Sequence, residues 1–382
     1  MMLGDDKELG LYIHIPFCKS KCYYCDFNSF ACRDDFVPAY FNALKKEIAL
    51  YSNILKDFRI KTVFIGGGTP SLVGAHNIYE VVVLLRQAFN IAKGAEITIE
   101  TNPGTLSYEK LATFKVVGIN RLSIGLQAWQ NRLLRDLGRI HTIEEFIENY
   151  NLAKKVGFNN INIDLIFGIP NQAFEDWVGT IESVSALEPA HLSCYSLKIE
   201  EETVFGRRLE SGELVPLDDE LDRDMYWEAI ERLGGKGYKH YEISNFAKDG
   251  FLCRHNLIYW KGEEYIGIGA GAHSYFNGER FNNVGDILEY ANSIDKGQIP
   301  KENILLITDE DKMSEFMILG LRLIDGICMK EFERKFNKNI MDIYGAQLNS
   351  LLEKGFIHMD KGFLKLSDSG LDLANQVFVE FL

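Results

Sequence analysis

Short runs of β-branched and other apolar residues alternate with longer stretches of helical periodicity through the first two hundred positions, and the alternation repeats six times. The runs are 11–15 (LYIHI), 62–66, 96–100, 120–125, 160–167 and 190–197. Each is followed by polar or Gly/Pro-rich residues and then by a segment whose apolar positions recur every third or fourth residue. In the first of these segments Phe36, Tyr40, Leu44 and Ile48 share one helical face. Strand, helix, strand in that order predicts a parallel sheet with helical crossovers. Six units fall short of the eight that close a full barrel. The expected fold class is therefore α/β, with a partial (β/α)6 barrel over residues 1–200 and a doubly wound sheet as its structural competitor.

The rhythm stops near residue 200. Residues 201–300 hold one strong helical pattern, 218–233, and then a Gly- and Tyr-rich stretch, 234–275, that reads as strands and irregular loops: a middle extension. Residues 301–382 change again, with helical patterns at 309–323, 329–336 and 341–354, the hairpin GFIHMDKGFLKLS, and a last helix from Asp368. Three helices followed by a two-stranded wing predict a winged-helix-like C-terminal domain.

Charge narrows what such a domain does. The 382 residues carry a net charge of −14, and the last 82 alone carry 10 basic against 14 acidic side chains. A reader of duplex DNA needs a basic face to displace condensed counterions, so the winged module is expected to pack against or bind protein, and no nucleic-acid partner is expected. At 46% hydrophobic and 25% charged, the chain has ample material for a globular core. Its first ten residues, MMLGDDKELG, lack the basic and apolar regions of a secretory leader, and no apolar run nears the roughly 20 residues that span a bilayer. A cytoplasmic location with reduced or metal-bound thiols is expected.

Seven cysteines are an odd and unevenly placed set, where a disulfide framework would show an even, dispersed one. Three crowd into Cys18-Lys19-Ser20-Lys21-Cys22-Tyr23-Tyr24-Cys25, a C-x3-C-x2-C spacing directly after the first strand. Three thiolates on one tight loop suit three irons of a [4Fe-4S] cube and leave the fourth iron open to substrate, while Lys19 and Lys21 offset part of the negative charge. The competing readings are a structural zinc with Cys32 or His14 as fourth ligand, and three buried thiols without a metal. Cys32, Cys194 and Cys328 are isolated and read as small buried hydrophobes.

The ends of the later strands carry further polar residues, on the rim where a parallel barrel places its chemistry. They are Gly66-Gly67-Gly68-Thr69-Pro70, Glu100 before Asn102-Pro103-Gly104, Gln127 in Ser123-Ile124-Gly125-Leu126-Gln127, Arg139 with a guanidinium fork for a carboxylate, and Asp164 inside the apolar INIDLIFG. Taken singly, the glycines also fit a plain turn and Glu100 a solvated strand end, whereas a buried Asp164 needs a partner.

The cysteine spacing resembles the signature of the radical S-adenosylmethionine (SAM) enzymes, and Tyr12-Ile13-His14-Ile15-Pro16-Phe17 before it is similar to the group of oxygen-independent coproporphyrinogen III oxidases and their relatives. The resemblance implies a [4Fe-4S] cluster on Cys18, Cys22 and Cys25, and SAM held by Tyr12, Tyr24, Gly67, Gly68, Thr69, Glu100, Gln127, Arg139 and Asp164. Within that group three features resemble the HemW branch, associated with haem binding and transfer. Phe27 stands where the oxidases carry a further cysteine, only seventeen residues precede Cys18, and Cys253-Arg254-His255-Asn256-Leu257-Ile258-Tyr259-Trp260 contains H-N-x-x-Y-W. The resemblance implies haem as a third bound group and haem-accepting proteins, membrane-associated ones among them, as partners. A homodimer is compatible with it.

An imidazole with two aromatics suits an axial ligand and a cover for the macrocycle, which makes His255, Tyr259 and Trp260 the haem candidates, with Cys253 and His273 as alternative ligands. The competing reading of the motif is a hydrogen-bonded histidine in an aromatic core. Oxygen-independent coproporphyrinogen III dehydrogenase is the alternative function, and a winged-helix regulator using its cluster as a redox sensor is a third. The glycines of Gly267-Ile268-Gly269-Ala270-Gly271-Ala272-His273 lack the helix and the later acid of a dinucleotide site.

Overall fold

The computed structural model describes residues 7–382; the polar start of the chain read above, 1–6, lies outside them. Six strands follow one another in space as in sequence: β1 (Lys7–Ile15), β2 (Phe58–Gly67), β3 (Asn90–Thr101), β4 (Arg121–Gln127), β5 (Asn160–Phe167) and β6 (His191–Ser196), all parallel. The crossovers carry α1 (Val37–Ile54), α2 (Ala75–Ala88), α3 (Tyr108–Val116), the short α4 (Asn131–Asp136) with α5 (Ile143–Val156), and α6 (Phe174–Ala186). After β6 come α7 (Val204–Glu210) and α8 (Asp219–Gly235), and α8 packs on α6, where the buried Trp177 donates to Met225 O. Together these elements form the expected partial (β/α)6 barrel.

Local chemistry sets the boundaries. Helix α5 begins where Thr142 accepts from Glu145 N and the Glu145 carboxylate returns to Thr142 N, so two otherwise orphaned amides are satisfied. Residues 1, 3 and 5 of the LYIHI run, Leu11, Ile13 and Ile15, are fully buried under the helices, and the alternate residues Tyr12 and His14 face into the barrel.

The middle of the chain widens this sheet at both ends. The pair β7 (Lys239–Glu242) and β8 (Asn245–Ala247) adds beyond β6, and α9 (Arg254–Trp260) follows. On the far side β9 (Tyr265–Ile268) runs parallel to β1. Then β10 (His273–Phe276), β11 (Glu279–Asn283) and, after α10 (Ile287–Asp295), β12 (Lys301–Leu306) continue the sheet antiparallel. The result is one twelve-stranded sheet, ordered β12-β11-β10-β9-β1-β2-β3-β4-β5-β6-β8-β7. The glycine run Gly267–Gly271 turns from β9 straight into β10, with no helix after it.

Residues from 309 on build a separate core around Met317, Phe332, Leu348, Leu364 and Val377. Helices α11 (Asp309–Gly320), α12 (Met329–Phe336) and α13 (Ile340–Glu353) surround a three-stranded sheet in which Phe363–Leu366 lies between Ile327–Cys328 and Ile357–Asp360. This module covers the β7 edge. Ile243 N donates to Arg322 O, Ile324 N donates to Tyr241 O, and the Arg322 guanidinium lies 4.4 Å from the Trp260 ring centre. No helix among the described residues is long and apolar enough to cross a membrane.

Candidate functional site

The carboxyl ends of all six barrel strands open onto one cavity of about 380 Å³. Its wall holds Cys18, Cys22 and Cys25 together with Tyr24, Gly67, Gly68, Thr69, Glu100, Gln127, Arg139 and Asp164, so three cluster candidates and eight of the nine SAM candidates share it.

The cysteine loop is fastened at its base and across its top. A short parallel ladder joins Phe17–Cys18 to Phe30–Ala31, while Tyr23 N donates to Leu137 O and Phe205 N to Tyr23 O. Gly68 fits tightly beneath it, because a Cβ there would lie 2.7 Å from Phe17 O and 3.0 Å from Cys18 Sγ. Thr69 follows, 3.6 Å from Cys18 Sγ through its hydroxyl and held in turn by Asn102 Nδ2 at 2.9 Å.

Arg139 does not stand free for a carboxylate. Its guanidinium donates to Asn102 Oδ1 and to Gly125 O, each at 2.7 Å, and approaches Cys22 Sγ at 3.3 Å, while its buried Nε has no partner. A fixed cation against a cluster cysteine offsets thiolate charge, a task read earlier for the lysines alone.

Glu100 accepts from Gly67 N at 3.0 Å, and burial, then the neighbouring Asp164, push its carboxyl up to about 8. The partners that a buried Asp164 requires are neutral: Ser123 Oγ at 3.0 Å and Asn162 Nδ2 at 2.7 Å. Burial raises Asp164 as well, and those donors pull it partly back. Gln127 sits at a break in register between β4 and β5 with φ +74°, a left-handed conformation that costs a non-glycine residue about 1 kcal/mol and re-aims the strand end into the cavity.

Tyr12 is the SAM candidate that lies outside the cavity. Its hydroxyl pairs with His14 Nδ1 at 3.0 Å and its ring stacks on Phe64, so it stands behind the site. The zinc alternative loses its fourth ligands: His14 uses its other nitrogen on Asn28 O at 2.8 Å, and Cys32 Sγ points to Lys19 O. Cys32 is exposed with φ +56°, not a buried hydrophobe.

Of the haem candidates, the structure brings His255 and Tyr259 into contact and places His273 on another element, at the start of β10. His255 is 1% exposed, with Nδ1 bonded to Thr62 Oγ1 at 2.7 Å and Nε2 to Tyr259 Oη at 2.9 Å. Burial lowers it to about 3, so the ring is neutral, and both of its nitrogens are engaged. Tyr259 packs edge-on against Tyr265, Trp260 lies under Arg322, and Cys253 is buried with its sulfur 3.8 Å from Glu96 Oε1. His273 alone of the five is exposed, at the start of β10. The reason is position: α9 plugs the barrel floor, and Glu96 caps its amino end by accepting from Arg254 N and His255 N.

Asn102, Ser123 and Tyr195 also line the cavity; in the sequence the first two stand out only as neighbours of Glu100 and Gln127, and Tyr195 was passed over. Their signal was there. Ser123 and Gly125 alternate with Leu122, Ile124 and Leu126, and His191, Ser193 and Tyr195 alternate with the buried Leu192 and Cys194.

A parallel barrel whose rim gathers three closely spaced cysteines and a polar cavity defines a radical SAM protein, and residues 12–184 match the Radical SAM superfamily. Residues 307–373 match the HemN C-terminal domain. The solved structure of coproporphyrinogen III oxidase (HemN) from Escherichia coli superposes with a TM-score of 0.86 over 98% of this chain and 90% of its own, at 24% identity, a likeness of fold. Heme chaperone HemW of Bacillus subtilis is 37% identical over 97% of this chain and 98% of its own length, and heme chaperone HemW of Escherichia coli is 35% identical over 98% of each. A mitochondrial relative from Danio rerio, radical S-adenosyl methionine domain-containing protein 1, is 30% identical over 98% of this chain. The chain belongs to the HemW family of radical SAM proteins.

Proposed function

We propose that the protein is a haem chaperone that binds a [4Fe-4S] cluster and SAM at the rim cavity, takes up haem and passes it to acceptor proteins. The observation that carries this reading is likeness to named heme chaperones along the whole chain, barrel and C-terminal module together. Cys18, Cys22 and Cys25 hold the cluster. Tyr24, Gly67, Gly68, Thr69, Glu100, Gln127, Arg139 and Asp164 hold SAM, and Tyr12 supports them from behind through His14. The fit rests on the cavity itself: three thiols on one wall, a glycine seat that a methyl would fill, and a buried guanidinium nitrogen still without a partner. When bound, the cluster would supply reducing power towards SAM, with Cys18, Cys22 and Cys25 as its protein ligands. The chain's own part is to keep Arg139 beside Cys22, to keep Glu100 as a neutral hydrogen-bonding group, and to wall the cavity from the barrel floor.

Haem is cargo in this reading. His273 is its ligand, being the exposed imidazole among the candidates, and Phe27, 63% exposed at the cavity mouth, offers it an aromatic face. Residues 1–200 serve the cluster and SAM, 201–300 the haem, and 301–382 the packing of the floor. The proposed location is the cytoplasm, at or near the membrane where acceptors reside; a homodimer is the assembly to look for.

Haem titration of the anaerobically reconstituted protein tests this. A saturable Soret-absorbing complex that weakens in His273→Ala and survives in His255→Ala is expected. Catalytic conversion of coproporphyrinogen III to protoporphyrinogen IX under reductant and SAM would sink the chaperone reading in favour of the oxidase.

A further inference from the structure

The glycine run after β9, without a dinucleotide to bind, has another use in the structure. It is the seat of the cysteine loop. Asn28, three residues after Cys25, reaches into it and donates through Nδ2 to Ala270 O at 3.2 Å and to Gly285 O at 3.1 Å. The backbone of the same residue is held from the other side, since Asn28 O accepts from His14 Nε2 at 2.8 Å. Gly271, at φ +74°, leaves the room: a Cβ there would lie 2.2 Å from Asn28 Nδ2. Asn28 is a short side chain tied at both ends and has nowhere to withdraw.

The seat is itself braced. Tyr40 Oη donates to His14 O at 2.6 Å and accepts from Ala270 N at 3.2 Å, and the buried Glu47 carboxylate accepts from Gly269 N, Asn283 Nδ2 and Tyr290 Oη. A continuous chain of hydrogen bonds thus runs from α1 and α10, through the turn between β9 and β10, to the loop that carries Cys18, Cys22 and Cys25. These groups are buried or nearly so, and a displaced Asn28 would leave two carbonyls without their donor.

We propose that Asn28 is a positioning residue for the cluster and SAM site: it clamps the cysteine loop onto the β9–β10 turn, so that occupation of the cavity and the packing of residues 269–285 are thermodynamically linked. The linkage runs in both directions, as it must for binding free energies. It rests on the cavity holding cluster and SAM, a reading that wild-type iron content and SAM binding test on their own.

Asn28→Ala keeps all three cysteines, so it still assembles the cluster. SAM affinity should fall about tenfold, the value of one or two buried hydrogen bonds. The change that SAM causes in the electron paramagnetic resonance spectrum of the reduced cluster should shrink with it. Gly271→Ala should reproduce both effects, and the double variant should recover part of the loss, because the new methyl occupies space that the amide has left. In the wild-type protein, SAM should slow hydrogen exchange across 269–285, a readout that needs no variant to fold. An Asn28→Ala protein with wild-type SAM affinity and spectrum overturns the proposal, and so does an exchange pattern in 269–285 that is indifferent to SAM.

Discussion

Two polar clusters share the inside of one barrel, and they differ in what they open onto. At the rim, Arg139 Nε lacks a partner, Gln127 is held in a left-handed conformation, and Glu100 is forced towards neutrality by burial and Asp164. At the floor, Glu96 accepts from Cys253, Arg254 and His255, both nitrogens of His255 are engaged, and His191 is bonded to Asn162 and Tyr241. The rim opens to a cavity, whereas the floor is sealed by α9 and the C-terminal module. Polar residues inside a barrel therefore do not mark a binding site by their presence. Nor do unpartnered atoms mark one, since Arg121 Nε and Trp260 Nε1 at the floor lack partners just as Arg139 Nε does at the rim; the site is marked by open space and by strain kept for a ligand.

The contrast is sharpest in what each cluster loses on mutation. Cys22→Ala should abolish the cluster, taking iron from about four per chain to near zero after reconstitution, with the fold intact by circular dichroism. Full iron content in that variant would remove Cys22 from the ligand set. At the floor the loss should be one of stability alone. Glu96→Leu strands three buried donors and the nearby Arg121, and should cost about 3 kcal/mol in urea unfolding without changing cluster signatures.

His255 gives the floor a pH signature. Its folded pKa is about 3 and that of an unfolded histidine about 6.5, so the unfolded chain binds the extra proton between those values. The stability of the neutral ring is complete above pH 6.5 and is lost as pH falls towards 3, at about 1.4 kcal/mol per unit for this one group. Unfolding measured from pH 7 to pH 4 should show a shallower loss in His255→Gln than in the wild type. An equal slope would mean that His255 is not the buried, neutral plug described here. Smallest is the effect of relieving strain at the rim. Gln127→Gly should raise stability by up to about 1 kcal/mol while weakening SAM binding, a trade that no floor residue should offer.

Much of this was legible in the chain. Short β-branched runs alternating with period-3.6 segments predicted the six parallel strands, and C-x3-C-x2-C located the pocket. The limits of the reading have physical causes. Residues such as Ser123 and Tyr195 lie on the inward side of strands, and a polar residue between two apolar ones looks the same whether it lines a cavity or fills a closed network. H-N-x-x-Y-W admits two readings for that reason, a haem slot or a hydrogen-bonded histidine in an aromatic core. The motif specifies a short helix with an imidazole on one side, and only the tertiary partners Thr62, Glu96 and Arg322, each more than sixty residues away, decide that it is a plug. Asn28 was invisible in another way, since its partners are backbone carbonyls with no side-chain signature.

One end of the great sheet is covered by the C-terminal module and the other is not. Every residue of β12 is exposed, and Ile304, Leu305 and Leu306 are more than half so, on a strand whose outer backbone groups pair with no strand among the described residues. Such an edge invites strand-to-strand stacking between molecules, opposed here by Lys301 and Glu302 at its start. Six residues remote from the chemistry are thus expected to limit the concentration at which this protein stays dispersed. Leu305→Lys should raise that ceiling, seen as reduced light scattering on storage, with cluster and floor untouched.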